Sequence, residues 1–128
     1  KNTGTIVTLL PACSFYLDIP FAPAKWMIES GLPIAIASDY NPGSSPSGNM
    51  NLVVSLACIK MKILPHQAFN AATINGAYAM DLAQNYGSLA KGKKANFIIT
   101  KPISSLHFIP YNFGENVIDK IVINGEFY

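Results

Sequence analysis

Residues 32–44 read Leu32-Pro-Ile-Ala-Ile-Ala-Ser-Asp39-Tyr-Asn41-Pro-Gly43-Ser44, an apolar run that ends in a polar, turn-forming loop. Seven consecutive residues of little or no polarity are typical of a strand covered on both faces, as in parallel sheets, because a half-solvated strand would alternate. In α/β proteins the loops at the carboxyl ends of the strands carry the chemistry. The stretch therefore predicts an α/β fold with Asp39 at a functional edge of the sheet.

A first strand and a short helix are predicted upstream of this run. Residues 5–10 are strand-like, and the Pro-Ala-Cys-Ser-Phe-Tyr segment at 11–16 is interpreted as a turn-rich exit. Pro23 can open a helix that continues to Glu29, and Gly31 can close it in a left-handed conformation. The order of elements indicates a βαβ unit with two parallel strands.

Two helices are predicted after the Asp39 loop. Ser47 or Asn49 can cap the first, which ends near Lys60 and Lys62, and Pro65 opens the second. The first is expected to bury Leu52, Val53, Leu56, Ile59 and Ile63; the second is expected to bury Phe69, Ala72, Thr73, Gly76, Ala77 and Met80 and to stop at Gly87.

The pattern changes to strands without helices at Gly87. Residues 96–100 and 117–123 are apolar runs, and Asn124-Gly125 is a strong signal for a two-residue hairpin turn. We therefore predict a boundary near 86–90, which separates an α/β part at 1–86 from a β part at 87–128.

The composition limits the classes of partner. Half of the 128 residues are hydrophobic and only 12% are charged, against about a quarter in an ordinary domain. We therefore expect either a homo-oligomer or a piece of a larger protein, with the start at Lys1 a cut. Nucleic acid is not expected as a partner, because the net charge is only +2 and arginine is absent.

Neither a membrane partner nor a disulfide framework is expected. No apolar stretch has membrane-spanning length and no signal-peptide pattern is present, so we expect a cytoplasmic protein. Cys13 and Cys58 are isolated thiols without metal-ligand spacing. His66 and His107 likewise lack metal spacing and are interpreted as surface histidines.

Two motifs together resemble the amidohydrolase superfamily. One is the Ser-Asp-Tyr-Asn-Pro-Gly-Ser loop at 38–44, and the other is Gly-Ser-Leu-Ala-Lys-Gly-Lys-Lys-Ala-Asn at 87–96. Within the superfamily, these motifs, the Thr-Leu-Leu-Pro-Ala run at 8–12 and the Asn-Ala-Ala-Thr-Ile-Asn-Gly-Ala helix at 70–77 are similar to the branch that opens a cyclic amide in histidine degradation. The resemblance implies the last two βα units of a TIM (β/α)8 barrel, followed by strands of a small β-sandwich, as a fragment of a larger fold.

The resemblance also implies residue roles. Asp39 would be both the metal ligand and the catalytic acid–base group, and Asn41, Gly43 and Ser44 would contact a small cyclic amide substrate. The cofactor would be one divalent ion, zinc or iron, because both accept carboxylate and imidazole ligands. The other ligands are absent from these residues, so this chain alone is expected to be inactive. Asn96, where the family has an acid, and Cys13, where it more often has glycine, depart from the pattern.

Other interpretations stay open. From the residues alone, the favoured interpretation of Asp39 is a helix cap or turn residue, because Asp-x-Asn-Pro-Gly is also an ordinary turn sequence. Within the superfamily, a purine or cyclic-imide hydrolase is an alternative, and outside it a non-catalytic binding module. Trp26, four tyrosines (Tyr16, Tyr40, Tyr78, Tyr86) and four methionines (Met27, Met50, Met61, Met80) are interpreted as packing residues. Uncovered strand edges and an apolar sheet face should make the isolated chain associate with itself.

Overall fold

A computed structural model describes residues 3–128. The described residues form an α/β structure with a two-stranded and a three-stranded sheet. The elements in chain order are β1 (Val7–Leu9), α1 (Pro11–Tyr16), α2 (Ala24–Glu29), β2 (Ile34–Ile36), α3 (Met50–Lys60), α4 (Pro65–Ala72), α5 (Ile74–Ala79), β3 (Phe97–Thr100), α6 (Phe108–Tyr111), β4 (Ile118–Ile123) and β5 (Glu126–Phe127).

Strands β1 and β2 are parallel, which confirms the predicted βαβ arrangement. Val7 pairs with Ile34, Thr8 with Ala35 and Leu9 with Ile36. All three residues of β2 are buried, as expected for an uninterrupted apolar strand. Helices α1 and α2 connect the two strands. Residues 11–16 form helix α1, so their interpretation as a turn was wrong. Pro11 occupies the first position of this helix, where a backbone N–H group would have no partner within the helix, so proline is tolerated.

The core lies between the parallel pair and helices α1 to α4. Its buried members are Leu9, Ala12, Ala24, Ile34, Ile36, Val53, Val54, Leu56, Ala57, Met61, Ile63, Ala68 and Ala71. Helix α3 is capped by the Asn49 side chain, which accepts hydrogen bonds from the N–H groups of Asn51 and Leu52.

Helix α3 is buried around its middle rather than along one stripe. It packs against α1, α4, β2 and α6, and every residue from 53 to 57 is buried. Ile59, which was predicted to face the core, is 46% exposed, and Ile63 packs into the core from beyond the end of the helix. The predicted stripe was therefore too narrow in the middle and wrong at Ile59, whereas the predicted burial of Ile63 is confirmed.

The second predicted helix is divided at Thr73. Its backbone leaves the helical region there, with φ −117° and ψ −87°, so that α4 and α5 are separate helices. The Thr73 hydroxyl donates to the Phe69 carbonyl at 2.7 Å, a local bond that competes with regular helix geometry. Helix α5 ends at Ala79, well before Gly87, and Met80 is exposed. The predicted inner stripe was therefore wrong at its distal end.

The antiparallel sheet has the order β3-β4-β5. Asn124 and Gly125 both have positive φ, 52° and 88°, as a two-residue turn of the type I′ class requires. This confirms the predicted hairpin. The Asn96 side-chain oxygen accepts the N–H of Asn124 at 2.7 Å, so Asn96 ties the start of β3 to the turn. Helix α6 lies between β3 and β4, contrary to the expectation of strands alone.

Most of the aromatic residues that were interpreted as packing residues are exposed. Trp26 is 61% and Tyr40 71% exposed, and Tyr16 and Tyr78 are also exposed. Met61 is buried and Met27 and Met50 pack against the core, in line with their interpretation as packing residues, whereas Met80 is exposed, contrary to it. Within residues 3–128, no helix has both the length and the apolarity needed to cross a membrane.

Candidate active site

Asp39 lies in the loop that follows β2. We call residues 38–45 the Asp39 loop. Ala37 extends the strand pairing by donating to the Leu9 carbonyl at 3.1 Å, and Asp39 then turns the chain with φ +51°. A positive φ is uncommon outside glycine, and aspartate is among the residues that tolerate it. The strand therefore places the carboxylate directly at the carboxyl edge of the parallel pair.

Asn41 organises the Asp39 loop. Its Nδ2 group donates to the Asp39 carbonyl at 2.5 Å and to Ser44 Oγ at 3.0 Å. Its Oδ1 atom accepts the N–H groups of Gly43 at 2.9 Å and Ser44 at 2.8 Å. These four bonds use both donors and both lone pairs of the amide. The Asn41 side chain therefore holds the loop together.

The loop brings all four predicted site residues together. The Ser44 hydroxyl lies 3.4 Å from Asp39 Oδ2 and can donate to it. Asp39, Asn41 and Ser44 are half-buried, whereas Gly43 is exposed. Among residues 3–128, no donor lies within hydrogen-bonding distance of Asp39 Oδ1. The carboxylate is thus anchored weakly at one oxygen and open at the other.

Ser45 closes the loop from its far end. Its hydroxyl donates to the Ser38 carbonyl at 2.6 Å, and its backbone exchanges two hydrogen bonds with Asn41, at 3.0 and 3.3 Å. Only 1% of Ser45 is exposed. Ser45 is not among the site residues predicted from the sequence, because a serine in a polar loop carries no sequence signal of burial.

The chain supplies one metal-ligand candidate at this edge. No group of three or more histidine, cysteine, aspartate or glutamate side chains that could hold an ion occurs within the described range 3–128. His66 lies in the first turn of α4 and His107 precedes α6, and both are exposed. Asp39 fits a metal as one carboxylate ligand, with an unengaged oxygen, and the remaining donors must come from elsewhere.

A separate cavity of about 690 Å³ lies against the other face of the parallel pair. Thr8, Ala35 and Ala37 line it on the strand side, and residues of α5, of the Gly87 turn and of β3 line it opposite. The cavity reaches Ser38 but not Asp39 or the rest of the Asp39 loop. Its lining is mostly apolar with a few hydroxyl and amide groups and contains no acidic, basic or thiol side chain, so we place the site at the loop and not in this cavity.

Burial raises the pKa of the Cys58 thiol in α3. Its reactive thiolate form is disfavoured at neutral pH. Cys13, in α1 beyond β1, is also half-buried. Both cysteines are free within the described part of the chain.

Comparison with known proteins connects this architecture to a family. The model of the amidohydrolase family matches residues 1–127. The imidazolonepropionase of Flavobacterium johnsoniae is 61% identical over 98% of the chain, and that of Treponema denticola is 46% identical over 98%. The chain spans about 31% of the length of the first relative and about 30% of the second.

Solved structures show the same fold at low identity. An adenosine deaminase from Xanthomonas campestris with bound zinc aligns with a TM-score of 0.84, at 22% identity, over 95% of this chain and 31% of that one. Guanine deaminase of E. coli aligns with a TM-score of 0.80, at 18% identity, over 98% and 34%. With the family match over nearly every residue, these likenesses lead to one conclusion: the chain belongs to the amidohydrolase family.

Proposed function

We propose that this chain is the carboxyl-terminal third of an imidazolonepropionase. The whole enzyme would open the ring of 4-imidazolone-5-propanoate by hydrolysis and give N-formimidoyl-L-glutamate, a step of histidine degradation. The observation that carries the proposal is the Asp39 loop, which presents one carboxylate at the carboxyl edge of a parallel pair. The 61% identity to the Flavobacterium johnsoniae enzyme supports this substrate over purines, since the guanine deaminase likeness is at 18%.

The proposal includes an architecture. Strands β1 and β2 with their helices would be the last two βα units of a (β/α)8 barrel, whose catalytic loops lie at the carboxyl ends of its strands. Residues 87–128 would be strands of a small β-sandwich. The sheet topology supports this, because β1 and β2 form a two-stranded parallel sheet within the described residues, which leaves each strand one edge at which a further strand could pair.

Asp39 would serve as one ligand of a divalent ion, for which we favour zinc and keep iron as the alternative. When bound, such an ion polarises the substrate carbonyl and makes a water acidic. Asp39 would accept a proton from the attacking water through its open Oδ1 atom. As the new C–O bond forms and the ring C–N bond breaks, Asp39 would return that proton to the departing nitrogen.

The rest of the loop would orient the substrate. Ser44 Oγ is the side-chain group that lies next to the carboxylate, so it can contact the reacting ring. The Gly43 N–H now donates to Asn41 Oδ1. A substrate oxygen would take over that N–H, and one lone pair of Asn41 Oδ1 would then be free to accept a hydrogen bond from the planar heterocycle.

The proposed partner is therefore a small cyclic amide. A homo-oligomer and a cytoplasmic location fit such a metabolic enzyme and belong to the same proposal. A non-catalytic module, the second candidate of a different class, is not favoured by any contact in the structure.

The test uses the complete enzyme with Asp39→Asn. Asparagine tolerates positive φ and keeps the shape of the side chain, so the variant removes only the charge and the proton acceptor. We expect kcat for N-formimidoyl-L-glutamate formation to fall about 10²- to 10⁴-fold, with a lower zinc content measured by mass spectrometry.

Asp81→Asn is the matched control, because Asp81 also has a positive φ, 58°, and is exposed beyond α5. Its turnover should equal that of the wild type. Guanine and dihydroorotate serve as competing substrates. Faster turnover of either, or full turnover and zinc content in Asp39→Asn, would refute the proposed function.

A further inference from the structure

Ser45 stands out among the polar residues of the chain. Within the described residues, the buried polar side chains are Ser45 and Ser55, each 1% exposed. Ser55 belongs to α3 and donates to the Asn51 carbonyl one turn earlier, at 2.7 Å, which is a common local bond in helices. Ser45 instead reaches back seven residues to the Ser38 carbonyl at 2.6 Å. Buried hydroxyl groups are nearly always hydrogen-bonded, and the Ser38 carbonyl supplies the acceptor for the Ser45 hydroxyl.

The bonds of Ser45 hold the backbone on both sides of Asp39. The Ser38 carbonyl belongs to the peptide group that enters Asp39, and the Ser45 hydroxyl fixes it. The Asn41 backbone lies two residues beyond Asp39, and the Ser45 backbone fixes it through two hydrogen bonds. Asp39 therefore keeps its positive φ between two held points.

None of these contacts involves the carboxylate or a side chain predicted to contact the substrate, because the bonds between Ser45 and Asn41 join only backbone atoms. Ser45 is too buried to meet a substrate, and its hydroxyl is engaged with a backbone carbonyl. Its influence on the site must therefore act through the position of Asp39. Groups that orient a metal ligand without touching the metal commonly change metal affinity or activity when they are removed.

We propose that Ser45 is the positioning residue for Asp39. Its buried hydroxyl sets the direction in which the carboxylate leaves β2, and thereby sets both metal affinity and proton transfer. This inference rests on the proposed function for its kinetic consequence, whereas its consequence for metal affinity can be measured separately.

The test compares Ser45→Ala with Ser55→Ala in the complete enzyme. Both variants delete one buried hydroxyl that donates to a backbone carbonyl, so their effects on folding are matched. Ser45→Ala should lower kcat and zinc affinity about 10- to 100-fold. KM should change less than about threefold, because the loss concerns the transition state more than substrate binding.

Ser55→Ala should leave kcat and zinc affinity unchanged. Ser45→Thr, which retains the hydroxyl, should restore both values toward the wild type. If Ser45→Ala does not fold, Ser45→Cys replaces it. The thiol is of similar size and a weak donor, so the same losses are expected.

Equal effects of the two alanine variants would overturn the inference, as would a Ser45→Thr enzyme that is as impaired as Ser45→Ala. If the wild-type enzyme binds zinc but does not open the imidazolone ring, the proposed function fails. The zinc affinities of the two alanine variants then decide the role of Ser45 alone. A wild-type enzyme with neither turnover nor zinc binding would refute both statements.

Discussion

Replacing Gly87 with alanine should loosen the contact between α5 and the turn that leads into the antiparallel sheet. Gly87 has φ +87°, and a Cβ atom there would lie 2.7 Å from the Cβ of Ala77 and 3.0 Å from both the Thr73 carbonyl oxygen and Ile74 Cα. Two of these atoms are backbone, and Ala77 is buried. The neighbours therefore cannot move aside without shifting the helix.

Two destabilising effects add in the Gly87→Ala variant. A non-glycine residue in the left-handed region costs about 1–2 kcal/mol, and forcing a methyl group into packed surroundings costs about 1–3 kcal/mol more. Gly92 separates these effects, because it has φ +90° and no atom within 4 Å of the position a Cβ would take. Gly92→Ala should therefore carry the first cost alone.

Amide hydrogen exchange over residues 74–82, measured by mass spectrometry, reports on the local opening of α5. The difference of about 1–3 kcal/mol between the two variants corresponds to exchange that is about 5- to 150-fold faster in Gly87→Ala than in Gly92→Ala. Equal exchange rates in the two variants would refute this expectation, since the close approach to Ala77 would then add nothing to the destabilisation.

Further expectations concern the ends and the thiol of α3. Asn49→Ala should destabilise the first turn of α3 by about 1 kcal/mol, since two N–H groups lose their acceptor. Urea unfolding should show the loss, and Asn70→Ala, at an exposed position of α4, should show none. Cys58 should react with iodoacetamide at pH 8 more slowly in the folded protein than in urea, and equal rates would contradict the effect of burial. Because folding raises the pKa of Cys58 above its ordinary 9.0, its contribution to stability is complete below that pH and is lost as pH rises through the folded-state pKa.

The sequence predicted the structure correctly at positions where a particular residue type meets a particular structural requirement. The apolar run before Asp39 predicted a buried parallel strand, because only a strand covered on both faces can be apolar throughout. Asn49 predicted a helix start and Asn124-Gly125 a hairpin, because few other residues satisfy an open N–H group or a positive φ so readily. The polar, turn-forming residues that follow the apolar run located the Asp39 loop in the same way.

Features that depend on tertiary context were not predictable. The helix is interrupted at Thr73 between α4 and α5, which both contact β2, and a threonine at one helical position does not by itself predict such a break. The burial of Ser45 and the exposure of Trp26 depend on which elements lie nearby, which composition does not encode. The other ligands of the proposed metal site are likewise not predictable from these residues, since one carboxylate does not define a coordination shell.

The hydrogen bonds that shape the Asp39 loop all join residues at most seven positions apart. Short-range closures cost little chain entropy and form quickly, unlike contacts between distant segments. The backbone that orients the carboxylate can therefore form early, before contacts between distant segments. In the proposed enzyme the surrounding loops could then change, and with them the choice of substrate, while these eight residues keep the proposed ion ligand in place.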